Sequence, residues 1–152
     1  MRNDVADWIR DPLLLIARAL MMVLFVVFGW HKLINYHETI ASFTQAGLSF
    51  PSLAALIAVV MELGVGIAVI LGLFTRPLAL LLALYTIAAA FIGHPFWSIS
   101  GSGQVEAEIN FFKNLSIMSG LLVLFLTGAG RFSLDEVLNL DHRPHTIGQP
   151  IP

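Results

Sequence analysis

Four apolar runs constrain this chain more than any other feature: Leu13–Trp30, Leu53–Leu73, Pro77–Gly93 and Ile109–Thr127. Each falls within the roughly 17–25 residues that an α-helix needs to cross the hydrocarbon core of a bilayer. Arg18 is the one charge in the first run and Glu62 the one charge in the second; the third has none, and the fourth carries Asn110, Lys113 and Asn114 at its start. Composition argues against a water-soluble helical protein. Hydrophobic residues make up 57% and charged residues 12%, against roughly 25% charged in soluble domains, too little to coat a surface facing water. The first run is long for the core of a signal peptide, and Gly29-Trp30-His31-Lys32 follows it where a small-x-small cleavage site would stand. We therefore expect an all-α protein, an integral membrane four-helix bundle over residues 13–135, followed by an irregular cytoplasmic tail over 136–152.

The punctuation agrees. Pro51 and Pro77 stand near helix starts, where a missing N–H does little harm, and Gly72 and Gly128 near helix ends. Trp30, Tyr36, Phe96 and Trp97 gather at one set of helix ends, as an interfacial aromatic belt does. With four spans, Arg2, Arg10, Arg18, Arg76, Arg131 and Arg143 share one side and Lys32 and Lys113 the other. The positive-inside rule places both termini in the cytoplasm of a bacterial inner membrane. The first outer loop repeats Tyr36, Ile40, Phe43 and Gly47 at helical spacing, which suggests a short helix lying on the membrane surface. The second, "SISGSGQVEAE", reads as a polar, mobile loop. Two small-residue stripes, Gly64/Ala68/Gly72 and Ala54/Ala58/Glu62/Gly66, and Ala79, Ala83 and Ala90 on the third run, offer close helix packing.

Net charge is −2 and there is no cysteine. No basic field calls for nucleic acid, and thiolate, disulfide and Cys-metal chemistry are excluded within this chain. Glu62 is the sharpest signal. A charge at mid-bilayer costs roughly 2.5–3.5 kcal/mol on insertion scales, so the carboxylate needs a partner or a proton. At ~1.5 Å per residue it lies about 16 Å from Pro51, Arg18 about 8 Å inside Leu13, and Lys113 about 6 Å inside Ile109. Arg18 and Lys32 are the candidate ion-pair partners. Glu62, His94, Lys113, Asn114 and His31 form the candidate ligand-binding set, although Lys32, Lys113 and Arg18 can also snorkel to headgroups and the histidines can be ordinary interfacial residues. His31, His94 and Glu62 lack metal-ligand spacing, with the acid ~15 Å deeper by rise per residue; no metal site is expected. A carboxylate with His, Lys and Asn among apolar walls suits a lipophilic carbonyl or hydroxyl compound, and a quinone, bound non-covalently, fits that description.

Several short pieces, in order and spacing, resemble the DoxX family of small bacterial membrane proteins from about Leu14 to Asp135. They are Gly29-Trp30-His31-Lys32-Leu33, the central Glu62, Gly72-Leu-Phe-Thr75-Arg76, His94, Lys113-Asn114, and Gly128-Ala-Gly130-Arg131 with Ser133-Leu134-Asp135. The resemblance implies a four-helix bundle in the inner membrane and a loose association with oxidoreductases, since relatives named DoxD are tied to thiosulfate:quinone oxidoreduction. It singles out Glu62, Arg76, His94, Lys113 and Asn114 without assigning them roles. The expected function is a quinone- or lipophile-binding subunit working with a partner redox protein. The alternative is a non-enzymatic scaffold, or a small-molecule transporter acting as a homo-oligomer. Membrane lipid is a partner in either case.

Overall fold

In lipid every backbone N–H and C=O must be satisfied within the segment, which leaves long apolar runs with helix as their solution. The computed structural model describes residues 4–140, with side chains described from Ile9 onward. The described residues are all helix and turn: α1 (Asp4–Ile34), α2 (Tyr36–Gln45), α3 (Pro51–Val59), a π-helical turn (Val60–Val65), α4 (Gly66–Leu71), α5 (Thr75–Gly93), a 3₁₀ turn (Phe96–Ser98), α6 (Ser102–Thr127) and α7 (Leu134–Val137). Four helices are long and apolar enough to cross a membrane: Ile9–Ile34, Pro51–Leu71, Thr75–Ser98 and Ser102–Thr127. The second span is thus α3, the π turn and α4 in continuous succession.

The first span packs chiefly on the second, and α5 chiefly on α6. Met22, Phe25, Met61, Val69, Leu82, Leu121 and Leu124 fill the space between them. Ala79, Ala83 and Ala90 all face inward, as their spacing suggests. On the second span the inward stripe is Ala58, Glu62 and Gly66, with Gly66 against Phe25 and Val26. Gly64 faces outward with open space around it, so the other stripe does not form a helix contact along its length.

Two loop expectations divide. The surface helix exists as α2, with Thr39 buried and the Tyr36 hydroxyl donating to the Ser52 carbonyl at 3.0 Å. The second loop does not stay a loop: after Gly101, at φ 85°, residues from Ser102 onward form the first turns of α6. Gln104, Glu106 and Ala107 are good helix formers, and the turn faces water with Gln104 and Glu106 while burying Ala107. Of the expected irregular tail, Glu136 and Val137 belong to α7, and residues 141–152 lie outside the described residues.

The end of the bundle where α4 stops and α7 lies is closed by Arg18. The residue is 1% exposed, and its guanidinium donates to the carbonyls of Ile70 (3.1 Å), Ala129 (2.6 Å) and Phe132 (2.7 Å). Arg18 is therefore not a partner of Glu62. Its five donors in a planar fork suit several carbonyls at once, and carbonyls left over at helix ends are what this end of the bundle supplies. Asp135 completes the closure, accepting from Phe74 N (2.7 Å) and Thr75 N (2.9 Å) at the start of α5. That capping holds Phe74 at φ 47°, an unusual value for a side chain of its size. Gly72, at φ 72°, leaves no room for a Cβ, which would overlap that of Ser133. The glycine-rich pieces that resemble the DoxX family at this end thus serve to join the two helix pairs.

Two outcomes follow. Arg18→Met strands three carbonyls, and unfolding in detergent should show a loss of about 3 kcal/mol; an unchanged midpoint would show that the clasp contributes nothing. The absence of cysteine makes sidedness directly measurable. A single Ser100→Cys should react with a membrane-impermeant maleimide in intact spheroplasts, and Glu136→Cys only after lysis; the reverse pattern would invert the orientation.

Candidate functional site

Glu62 sits on the π-helical turn Val60–Val65 and is 8% exposed. A π turn is wider than an α turn, is rare, and occurs often at functional positions. Opposite it, α1 presents Gly29. A Cβ there would lie 2.5 Å from Leu63 N and 2.9 Å from Glu62 Cβ, so no larger residue fits without separating the helices. Close backbone approach of this kind is how helices associate in lipid. Lys32, about 4.5 Å further along α1 by helical rise, is thereby brought onto the acid.

The contacts are short. Lys32 Nζ donates to Glu62 Oε2 at 2.6 Å, and the Tyr85 hydroxyl donates to Oε1 at 2.6 Å. Both oxygens of the carboxylate are engaged, one by a cation and one by a neutral donor from α5. Lys32 also lies 5.8 Å from the ring centroid of Phe28, within cation–π range. The side chains of the pair are 25% and 10% exposed, Lys32 being the wetter. The ammonium supplies a counter-charge beside the carboxylate that lipid cannot.

This triad forms one wall of a cavity of about 500 Å³ between the helices, a size that suits a small lipophile. Across from it stand His94 at the end of α5 and Asn110, Lys113 and Asn114 on α6. Lys113 Nζ approaches Asn110 Oδ1 at 3.5 Å, and Asn114 Nδ2 donates to the Asn110 carbonyl at 3.1 Å. Leu24, Phe25, Phe28, Phe43, Ala89 and Ile117 supply apolar walls, and Thr86, whose hydroxyl is satisfied by Leu82 O at 2.7 Å, completes the lining. Beside the cavity, Phe91, Phe96, Trp97 and Phe111 stack edge to face, with centroids 5.1–5.7 Å apart, and brace the junction of α5 and α6.

Of the residues singled out from sequence, the structure brings Glu62, Lys32, His94, Lys113 and Asn114 together. It does not bring in His31, which is exposed beside Phe28 with centroids 6.5 Å apart. Arg18 is at the opposite end of the bundle, and Arg76 lies in the first turn of α5 at that same end. Sequence reasoning missed Tyr85 and Asn110. The signal for Tyr85 was available: a tyrosine in the middle of a span, away from the interface where tyrosines gather, has a hydroxyl in need of a partner. Among the described residues no group of three or more His, Asp or Glu is placed to hold a metal ion.

The DoxX family model matches residues 13–95. The inner membrane protein YphA of Escherichia coli is 44% identical over 127 residues, covering 84% of this chain and 91% of that protein. The inner membrane protein YqjF of the same organism is 34% identical over 131 residues, covering 86% and 95%. A Surfeit locus protein 4 homolog of Schizosaccharomyces pombe shares 39% identity over 70 residues, 45% of this chain and 23% of that protein. No solved structure matches the chain.

The pairing of Lys32 with Glu62 is open to a double-mutant cycle read by unfolding in detergent. Lys32→Met alone strands a buried carboxylate and should cost about 3–5 kcal/mol. Adding Glu62→Gln should restore at least half of that loss. Strictly additive losses would show that the pair is not coupled in the membrane.

Proposed function

From the premise that this chain belongs to the DoxX family and is a multi-pass inner membrane protein, we propose that it binds a small lipophile with a carbonyl or hydroxyl head in the cavity around Glu62, with quinones as the class that fits best. The observation that carries the reading is the pairing of two unlike surfaces in one space. One set of lining side chains is apolar, and the other is polar: Glu62, Lys32, Tyr85, His94, Asn110, Lys113 and Asn114. Ligand sites have this construction: a largely apolar enclosure with a few convergent polar groups that set orientation. A quinone offers ring faces and a tail to the first and carbonyl oxygens to the second. Donors able to meet a carbonyl oxygen are present on Lys113, on the Asn110 and Asn114 amides and on His94.

Redox association is the finer part of the proposal. Reduction of a quinone consumes protons along with electrons, and His94, Tyr85 and Glu62 are groups able to pass protons at the cavity. The electrons would come from a partner redox protein. Binding alone is enough for the first part and does not require the second.

Purified protein in nanodiscs, tested by equilibrium dialysis with a short-tailed ubiquinone analogue, should bind it saturably. Mass analysis of lipophiles extracted from the purified protein should find a quinone. Glu62→Gln and Tyr85→Phe should each weaken binding about tenfold, equivalent to about 1.4 kcal/mol, with helical content and elution volume unchanged. Affinity indifferent to both substitutions, or no saturable binding, would overturn the proposal.

A further inference from the structure

The charge balance of the cavity is uneven. Glu62 is the one acid in its lining, and both of its oxygens are taken, by Lys32 and by Tyr85, at 2.6 Å each. Lys32 and Glu62 therefore cancel in charge, and the pair adds no net sign to the cavity. Lys113 has no such counterpart. Among the described residues no carboxylate lies within ion-pair reach of it, and its hydrogen bond is a long one, 3.5 Å, to the neutral Asn110. Glu106, whose charge acts on His94, does not line the cavity. The groups beside Lys113 reinforce its sign. Asn110 uses its side-chain oxygen toward Lys113, which leaves its amide N–H groups for a ligand, and the His94 ring has no side-chain hydrogen bond to described residues. The rim of the cavity is thus rich in donors and carries a net positive charge, above a floor that is internally neutral.

We propose that the cavity selects an amphiphile with an anionic head: an ionised carboxylate, phenolate or phosphate on an apolar body, with the head at Lys113 and Asn110 and the body against Phe25, Phe28 and Ile117. This rests on the reading of the cavity as a lipophile site and adds the charge of its ligand. An ionised head gains a charge-assisted hydrogen bond that a neutral carbonyl cannot. Lys113 is exposed, so the gain is that of a partly wetted ion pair, about fivefold in affinity or less. Membrane sources of such a ligand are a free amphiphile and the phosphate of an anionic lipid, which share the recognised chemistry.

Two probes of nearly equal size separate charge from shape: 2-hydroxy-1,4-naphthoquinone, an anion at neutral pH, and 2-methyl-1,4-naphthoquinone, which is neutral. In phosphatidylcholine nanodiscs the wild-type protein should favour the anion by about threefold to fivefold. Lys113→Gln should reduce that ratio to about two or less, and Lys113→Arg should retain it. Equal affinities in the wild type, or a ratio that survives Lys113→Gln, would overturn the proposal. If the neutral probe still binds, that failure removes the charge selectivity alone; if neither probe binds, the lipophile site falls with it. Replacing part of the phosphatidylcholine by phosphatidylglycerol identifies the source. Competition seen in wild type and lost in Lys113→Gln supports the proposal with a lipid headgroup as the anion, and a ratio unaffected by phosphatidylglycerol supports it with a free amphiphile.

Discussion

The contact between Gly29 and the turn at Glu62 and Leu63 governs the arrangement of this molecule. Hydrocarbon offers helices no hydrophobic reason to associate, so contact must come from close backbones and from polar groups with nowhere else to go. Gly29 supplies the first and Glu62 the second. With no Cβ between them, α1 and the second span approach until Lys32 can reach the acid at 2.6 Å. The same turn directs Glu62 Oε1 toward α5, where Tyr85 meets it. One carboxylate thereby ties three of the four spans together, and the fourth, held to α5 by its own packing, encloses the space that remains.

The other end of the bundle solves a different problem. Helices that stop leave carbonyls without donors, and here the chain ends of the second and fourth spans meet. Arg18 satisfies Ile70, Ala129 and Phe132 from the middle of that junction, and Asp135 caps α5. The family-like pieces therefore divide by position. Gly72 to Thr75, Gly128 to Gly130 and Ser133 to Asp135 build the closed end, whereas Glu62, His94, Lys113 and Asn114 line the cavity at the other. The sequence hints at a faint pairing of two helical hairpins, each ending in glycine and then arginine. In three dimensions those two glycine breaks come together around the guanidinium of Arg18.

The four spans and the acidic and basic residues of the cavity were legible because composition and hydropathy act residue by residue. What was not legible depends on relative depth. Counting 1.5 Å per residue from the nearest helix end treats all helices as starting at one level, and that left Arg18 a candidate partner of Glu62. The first span instead turns at Asn35 into α2, so Lys32 near its end lies close to the level of the acid and Arg18 lies far from it. The π turn was equally hidden, since Val60–Val65 has no proline and its Gly64 reads as part of a packing stripe. Tyr85 was overlooked for a simpler reason: attention went to charges, and a hydroxyl in a charge-free span carries the same requirement for a partner. His31 stood next to Lys32 in sequence, but adjacent helical residues point about 100° apart, and only one of the two could face the bundle.

The two buried charges also differ in what stability asks of them. Arg18 answers an existing need, because its guanidinium donates to the Ile70 carbonyl in the last turn of α4 and to the Ala129 and Phe132 carbonyls in the loop after α6. Glu62 answers none. A well-packed apolar side chain at its place, with another at Lys32, would in general be as stable as the ion pair or more so, since the cost of desolvating two charges is seldom recovered in full. The pair is best explained by what it does to the adjacent space. It engages Tyr85, places polar groups in an otherwise greasy enclosure, and balances its own charge. An acid that only joined helices would need no cavity beside it, and a cavity that only held lipid tails would need no acid. Their occurrence together is the physical ground for the proposal that this end of the bundle binds a ligand.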